Sequence, residues 1–430
     1  MNELRFHSTR SASPVVSVGE ALEAGLAPDG GLFIPETVPQ VDFGALPDSS
    51  FQYCSKAYLS QWLQGTEFEK HVDALVDNAL NFDVPLVEVE AGTFVLELFH
   101  GPTLSFKDFG ARMMARMLGM RIASRGSSAI ILVATSGDTG SAVADGFSGV
   151  PGIDVVLLYP KGGVSPIQEH QLIVKRPGVR ALQVEGTFDD CQKLVKGAFD
   201  DSALEDLPLS TANSINVGRL IPQMLYYVWA VKVLQRNDVR VCVPSGNLGN
   251  LTASLWAHLS GMPVSGFIAA HNDNDFFPEY LCDPDAAFKT SVQTFSNAMD
   301  VGAPSNFERL AAMLDFGKMT SLIQGVSISN EETLESMQSV LNRTGYLADP
   351  HTAVGLEALS RFKPEMPKEQ PALVVSTAHP AKFPETCEKT GMVAPVPEQL
   401  KRLAGMEEEV TTIAADAGAF RQVLLDLHQA

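Results

Sequence analysis

Positive charge is scarce in this sequence, because Lys and Arg number 31 against 51 Asp and Glu, giving a formal net charge of −20. A protein of this sign repels nucleic-acid backbones and anionic lipids, which excludes a general nucleic-acid or membrane-surface role. We therefore expect no nucleic acid and no membrane among its partners. Any anion that it binds must be held by a local site of backbone N–H groups, helix N-termini and a few cations.

Cysteine is also sparse, and long apolar runs are missing. The cysteines are odd in number, far apart and form no CxxC pair, which predicts reduced, mostly buried thiols and a cytoplasmic protein. The start, MNELRFHSTR, lacks the apolar core of a secretory signal, and no run approaches the roughly 18 residues of a membrane span. HExxH and similar spacings are absent, so we expect no metal. The five cysteines are Cys54, Cys191, Cys242, Cys282 and Cys387.

What the sequence does contain is enough apolar material for two or three domains, with 45% hydrophobic residues in 430. From residue 129 onward, short apolar strands alternate with amphipathic helices, as in AIILVA, GSAVADGF and DVVLLYP. This alternation predicts an α/β fold with a parallel sheet covered on both faces. Ligands of such sheets bind at the carboxyl ends of the strands.

The stretch FHGPTLSFKDFG, from Phe99 to Gly110, contains the lysine that most needs an explanation. The pattern predicts a strand before it, a turn at 100–103 and a helix over 111–118. Phe106 and Phe109 flank Lys107 and would desolvate its amine, which lowers a lysine pKa and favours Schiff-base chemistry with a cofactor. The alternative is a solvated lysine whose stem lies on an aromatic patch.

Two glycine-containing turns follow predicted strands and precede predicted helices. TSGDTG, residues 135–140, has small residues and open N–H groups suited to an anion, although such turns also occur for steric reasons. PSGNLGN, residues 244–250, combines a strand end, a glycine turn and a helix N-terminus, which suits a dianionic phosphate monoester. Neither turn fits the dinucleotide or nucleoside-triphosphate patterns.

Three cations are candidates for holding a substrate phosphate. Lys161 lies in a loop after a strand, where a solvated lysine is equally plausible. Arg219 lies in the first turn of a predicted helix, where a cation opposes the helix dipole, so an anion is expected nearby. Arg112 follows the Lys107 stretch, near the start of the helix predicted over 111–118.

HGPTLSFKDFG resembles the lysine motif of threonine synthases, a family within fold type II of the pyridoxal-phosphate (PLP) enzymes. Further segments resemble that family in the same order, and the resemblance covers nearly the whole chain. PSGNLGN is similar to its PLP phosphate cup, with Leu248 where Phe is usual, and STAHPAKF, residues 376–383, is similar to the segment that supplies a hydroxyl to the pyridine nitrogen. The other similar segments are GLF-P at 31–35 and SNAMD at 296–300.

The resemblance implies two parallel-sheet α/β lobes with a cofactor cleft between them and an N-terminal extension. The implied domains are residues 1–90, a catalytic region of 91–390 with a lobe boundary near 205, and a C-terminal cap of 391–430. It implies conversion of O-phospho-L-homoserine and water to L-threonine and phosphate, by a monomer or homodimer. The alternatives are a related PLP lyase or dehydratase, and a non-catalytic phosphometabolite-binding relative.

The resemblance also assigns residues. Lys107 would be the catalytic lysine that carries PLP, and Thr377 the hydroxyl at the pyridine nitrogen, with Ser376 as its alternative and strand capping as the other reading. Asn297 and Asp300 would line the cleft or pack their loop, and His351 would pack rather than act as a base. The implied cofactor residues are Lys107, Asp138, Ser245, Gly246, Asn247, Leu248, Gly249, Asn250 and Thr377. The implied substrate residues are Thr135, Ser136, Gly137 and Thr139, and the candidate cations for the substrate phosphate are Arg112, Lys161 and Arg219.

Overall fold

Parallel strands dominate two of the three sheets in the computed structural model, which describes residues 3–429. The strands are β1 (Arg5–Ser8), β2 (Val16–Ser17), β3 (Phe33–Pro35), β4 (Leu86–Glu90), β5 (Thr93–Glu97), β6 (Ala129–Ala134), β7 (Ile153–Pro160), β8 (Val179–Glu185), β9 (Leu209–Thr211), β10 (Arg240–Pro244), β11 (Gly266–His271), β12 (Ile323–Ser327), β13 (Ala372–Ser376) and β14 (Thr411–Ala414).

Helices cover both faces of these sheets. They are α1 (Val18–Ala24), α2 (Phe51–Trp62), α3 (Val72–Ala79), α4 (Lys107–Arg125), α5 (Asp138–Phe147), α6 (Pro166–Ile173), α7 (Phe188–Phe199), α8 (Val217–Leu220), α9 (Met224–Leu234), α10 (Gly249–Leu259), α11 (Phe276–Cys282), α12 (Phe307–Met313), α13 (Phe316–Leu322), α14 (Asn330–Thr344), α15 (Pro350–Phe362), α16 (Pro384–Lys389), α17 (Glu398–Leu403) and α18 (Ala417–Gln429).

The larger sheet has the order β12-β11-β10-β13-β5-β4, and β4 alone of its strands runs antiparallel to its neighbour. The smaller sheet, β14-β8-β7-β6-β9, is parallel throughout. β6 is buried along its whole length, as expected for a central strand with helices on both faces. The predicted α/β class with two parallel-sheet lobes is confirmed.

After the N-terminal sheet β2-β1-β3, the chain enters the larger sheet, builds most of the smaller sheet, and then returns to the larger one. β14 joins β8 at the edge of the smaller sheet, so the predicted C-terminal cap contributes a strand. The predicted domain limits at residues 90, 205 and 390 stay predictions. Because both sheets combine separate stretches of chain, one cut near residue 205 does not divide them.

The N-terminal region is more structured than its sequence pattern indicates. The pattern predicts only one short helical stretch before residue 90, whereas this part holds α1, α2, α3 and the antiparallel sheet β2-β1-β3. α4 also begins at Lys107 rather than at residue 111. Among residues 3–429, no helix has both the length and the apolar character needed to cross a bilayer.

Candidate active site

Three adjacent strands of the larger sheet end beside one another and carry the predicted functional loops. The order β10-β13-β5 places the turn at 244–250, the segment at 376–383 and the Lys107 loop at one sheet edge. This arrangement follows because the carboxyl ends of neighbouring parallel strands meet at the same edge. The turn at 135–140, after β6, approaches from the smaller sheet and brings Asp138 to 3.8 Å from the Lys107 amine.

Backbone hydrogen bonds join the Lys107 loop to the segment that contains Thr377. The Phe106 N–H donates to the Thr377 carbonyl at 2.9 Å, and the His379 N–H donates to the Leu104 carbonyl at 3.1 Å. Leu104 has a φ of 61°, a left-handed conformation that a leucine adopts only under strain. These contacts place Lys107 at the first position of α4, next to Thr377.

A buried carboxylate shapes the turn before Lys107. Asp108 accepts hydrogen bonds from the Thr103 N–H at 2.9 Å and from the Thr103 hydroxyl at 2.5 Å. Burial raises the pKa of Asp108 to about 7, although both hydrogen bonds act in the other direction. Gly101 must be glycine here, since a Cβ would lie 2.4 Å from the Asp108 carboxylate. Much of the motif therefore serves to build the turn.

Lys107 belongs to a buried cluster of three charges. Its amine lies 3.8 Å from the Asp138 carboxylate, and the Lys382 amine contacts the same carboxylate at 2.6 Å. The Gln168 amide also donates to Asp138, at 3.0 Å. Lys382 is completely buried and donates to the Thr103 carbonyl at 2.9 Å. Two lysines therefore share one carboxylate, and only one of them is neutralised by it.

The cluster shifts the pKa values of both Lys107 and Asp138. The pKa of Lys107 is lowered to about 8, first by burial and then by the charges of Lys382 and Arg219, while Asp138 acts in the opposite direction. Burial by itself raises the pKa of Asp138, but Lys382 and Lys107 outweigh it and the net direction is downward. Asp138 is thus a fixed anion, and Lys107 releases its proton at a lower pH than an ordinary lysine.

The turn at 135–140 uses one of its predicted substrate-binding side chains for hydrogen bonds within the turn. The Thr135 hydroxyl accepts hydrogen bonds from the Gly137 N–H at 3.0 Å and the Gly140 N–H at 2.8 Å. Thr135 therefore helps to form the turn, and the assignment of Thr135 and Gly137 to substrate binding stays a prediction that these contacts do not support. The first-turn N–H groups of α5, including that of Thr139, have no intrahelical acceptor and stay suited to an anion with Ser136.

The turn at 244–250 has the geometry of an anion cradle. Within the described part of the chain, none of the five backbone N–H groups from Gly246 to Asn250 donates to a protein acceptor. Leu248 has a φ of 59°, and α10 begins at the next residue. Successive free N–H groups at a helix N-terminus fit a phosphate dianion, so these residues fit the phosphate of PLP.

Two side chains of this cradle behave differently from one another. The Asn250 amide oxygen accepts from the Tyr226 hydroxyl and, at 2.7 Å, from the Tyr227 hydroxyl, while its buried Nδ2 has no protein partner within residues 3–429. Ser245, by contrast, uses its N–H on the Ala270 carbonyl and its hydroxyl on the Val243 carbonyl. Ser245 stays a predicted cofactor residue, although both of its donors have protein acceptors here, whereas Asn250 keeps a free donor.

Substitution of Gly246 by alanine should weaken retention of PLP, with Gly249→Ala as the matched control. A Cβ on Gly246 would lie 2.7 Å from the Met299 Cα, so the 296–300 segment and the cradle would have to separate. A Cβ on Gly249 meets nothing closer than 3.4 Å. Cofactor content after dialysis should fall for Gly246→Ala alone, and equal content in both variants would contradict this account.

Of the three predicted phosphate cations, the structure brings only Arg219 to the cluster. Arg219 is buried, packs its Nε against Gly110, and donates from a terminal nitrogen to the Ala212 carbonyl. Burial lowers the pKa of Arg219 to about 10, against the influence of Asp108. Its Nε has no protein partner within the described residues.

Arg112 and Lys161 have other partners in this structure, so their contact with a substrate phosphate stays a prediction that the geometry does not support. Arg112 pairs with Asp145 at 3.1 Å and donates to the Ala79 carbonyl at 2.7 Å, because its position on α4 faces the N-terminal region. Its remaining acceptors are the Asn78 carbonyl and the Asn81 side chain. Lys161 has a side chain 55% exposed and pairs with Glu185 at 3.3 Å.

The remaining polar candidates support loops. The Asp300 carboxylate accepts hydrogen bonds from Thr294 and Asn272. These contacts agree with loop packing, the second of its two predicted roles. His351 lies between the Asp349 carboxylate and the Ala298 N–H, so it also packs rather than acts as a base. The Ser376 hydroxyl is 2.7 Å from that of Thr352, whereas the Thr377 side chain makes no hydrogen bond within residues 3–429. This difference favours Thr377 over Ser376 as the hydroxyl that donates a hydrogen bond to the pyridine nitrogen.

Sequence reasoning missed Lys382, Gln168 and the two tyrosines that hold Asn250. Lys382 lies in the STAHPAKF segment, and its apolar neighbours Ala381 and Phe383 were a usable signal of burial. Gln168 gave no such signal, since it also completes the capping box of α6 with Ser165.

Comparisons with known proteins agree with this geometry. Residues 82–378 match the family model for pyridoxal-phosphate dependent enzymes, residues 5–80 match that for the threonine synthase N terminus, and residues 352–424 match that for the threonine synthase C-terminal part. The threonine synthase of Haemophilus influenzae is 42% identical, with 93% of this chain and 94% of the relative covered. That of Escherichia coli is 38% identical, with 99% and 100% covered.

Solved structures agree as well. The PLP-bound threonine synthase of Brucella melitensis superposes with a TM-score of 0.91 at 35% identity, covering 100% of both chains. The yeast threonine synthase superposes with a TM-score of 0.90 at 31% identity, covering 99% of each chain. A similarity that extends over the catalytic region and both terminal regions leads to one conclusion: this chain belongs to the threonine synthase family of PLP-dependent enzymes.

Proposed function

We propose that this enzyme, a PLP-dependent lyase of threonine biosynthesis, converts O-phospho-L-homoserine and water into L-threonine and inorganic phosphate. The observation that carries the proposal is the placement of Lys107, whose desolvated amine begins α4 beside Asp138, Lys382 and Thr377. A lysine with its pKa lowered to about 8 has a larger fraction of free amine near neutral pH than an ordinary lysine has.

PLP, when bound through Lys107, supplies an electron sink that stabilises negative charge on the substrate carbons. The free N–H groups at 246–250 hold its phosphate, with the Asn250 amide as an additional donor. The Lys107 amine, free while substrate is bound, takes one proton from Cα and one from Cβ, since its flexible stem reaches adjacent carbons. Phosphate departs from Cγ, which then gains a proton to become a methyl group. The hydroxyl of water adds at Cβ, and a proton returns to Cα.

The substrate carboxylate binds at the N-terminus of α5 through the N–H groups of Ser136 and Thr139. The fixed negative charge of Asp138 does not oppose this binding, because Lys382 lies 2.6 Å from it and neutralises it. Arg219 attracts the leaving phosphate, since its buried guanidinium is the candidate cation that the fold brings beside Lys107.

Thr377→Val should keep the cofactor and lose turnover by about 100-fold, because a positioned hydroxyl donor is removed while side-chain shape is kept. The Thr377 backbone already holds the Lys107 loop at 2.9 Å, and this contact survives the substitution. Ser376→Ala is the matched control, since its hydroxyl faces Thr352 and should not matter for chemistry. Normal turnover by Thr377→Val would overturn the assignment of its hydroxyl to the pyridine nitrogen.

A single assay tests the proposed reaction. Purified enzyme with PLP is given O-phospho-L-homoserine, and threonine and phosphate are measured together. Equal amounts of both are expected. Phosphate released with a keto acid in place of threonine would indicate a dehydratase-type lyase, and binding without phosphate release would indicate a non-catalytic relative.

A further inference from the structure

A second buried cation, Arg309 on α12, lies apart from the Lys107 cluster and has no part in the chemistry above. Its side chain is completely buried. Its Nε donates to the Phe33 carbonyl at 3.0 Å, and its terminal nitrogens donate to the carbonyls of Ser214, at 3.2 Å, and Ile215, at 2.5 Å. It therefore joins β3 of the N-terminal region to the loop before α8.

The charge of Arg309 is not neutralised by a carboxylate at ion-pair distance within residues 3–429. Its fourth acceptor is the Asn306 amide oxygen, at 2.5 Å, so every hydrogen-bond partner is neutral. Glu308 is the acidic residue whose charge raises the pKa of Arg309. The Glu308 side chain is 35% exposed and pairs with Arg10. Burial lowers the pKa of Arg309 to about 9. Such a charge is costly to bury unless an anion nearby offsets the cost.

The groups that hold Arg309 also hold the turn at 244–250. The Asn306 amide donates to the Asn247 carbonyl at 3.0 Å, and the Asn247 amide donates to the Ser214 hydroxyl at 2.7 Å. The Ser305 N–H donates to the Asn247 side-chain oxygen at 2.5 Å. Asn247 is thus fixed by two residues that themselves contact Arg309, so one layer of hydrogen-bonded residues connects the cation to the cradle.

We propose that Arg309 is a positioning residue, which acts through Asn306, Ser214 and Asn247 as the countercharge for the phosphate held at 246–250. The inference rests on the assignment of that turn to the PLP phosphate. Because Arg309 also holds the Phe33 carbonyl, occupancy of the cradle stabilises β3, and the integrity of β3 favours phosphate binding in return.

The first test compares two ligands that differ only in the phosphate. Dissociation constants of PLP and of pyridoxal are measured by titration of the full chain for wild type, Arg309→Met and Arg309→Lys. Arg309→Met should weaken PLP binding by roughly 10- to 100-fold, the range for one charged hydrogen-bonding group, and leave pyridoxal nearly unchanged. Arg309→Lys should recover part of the loss, since it keeps the charge without the planar fork.

An equal loss of affinity for both ligands in Arg309→Met would mean a general structural defect and would overturn the inference, as would unchanged binding. A second measurement needs no substitution. Amide hydrogen exchange of residues 31–36 in wild type should slow when PLP binds, while β14, at the far edge of the other sheet, serves as the control. Unaltered exchange at 31–36 would refute the coupling. Neither test uses substrate, so each result is separate from the outcome of the turnover assay.

Discussion

Lys107→Ala is expected to reduce threonine formation by at least roughly 10⁴-fold, the upper range for loss of a general acid–base group. The variant loses the covalent attachment point of PLP and also the amine that moves protons at Cα and Cβ. The fold should persist, because Asp138 keeps its contacts with Lys382 at 2.6 Å and with Gln168 at 3.0 Å. Turnover and the thermal unfolding midpoint are the two measurements.

Lys161→Ala is the matched control for Lys107→Ala. Lys161 is also a lysine in a loop after a parallel strand, but within residues 3–429 its exposed amine contacts only Glu185. Its removal should leave turnover and stability unchanged. Near wild-type turnover by Lys107→Ala would disprove the central assignment, whereas a loss in Lys161→Ala would restore this residue to the site.

The loops of the site were predictable because each one is encoded locally. A strand, a glycine-containing turn and a helix N-terminus follow one another within PSGNLGN, and the parallel sheet then fixes the loop at its carboxyl edge. The same holds for TSGDTG after β6. Backbone geometry of this kind depends on residues a few positions apart, which sequence patterns record well.

The side-chain partners within the site were not predictable in this way. Asp138 and Lys382 lie far apart in sequence, and they meet only because loops of two different sheets face each other. Arg112 is the opposite case, a residue near Lys107 in sequence whose side chain points elsewhere. It lies close to Lys107 in sequence, but its side of α4 faces Asp145 and the Ala79 carbonyl. Which face a helical residue presents is decided by packing that the motif does not encode.

Lys382→Met should raise the pKa of Lys107 above its value of about 8, because Lys382 lowers that pKa and Asp138 raises it. The groups acting on the Lys107 amine are Asp138, Lys382 and Arg219. With Lys382 gone, the Asp138 charge is left to the Lys107 ammonium, and less free amine exists at pH 7. Turnover at neutral pH should fall and should recover partly as the pH rises. The rate at which an amine-directed reagent labels Lys107 in the PLP-free protein, followed by mass spectrometry across pH, measures the shift.

Stability should fall too, since loss of one partner from a buried ion pair costs about 3–5 kcal/mol. The double variant Asp138→Asn with Lys382→Met separates charge from packing, because it removes both charges and leaves burial and Arg219 to keep the Lys107 pKa low. If the charge argument holds, the double variant should regain stability relative to Lys382→Met and label Lys107 at a pH no higher than wild type. An unchanged labelling profile in Lys382→Met, or a double variant no more stable than the single one, would show that Lys382 only fills space beside Asp138.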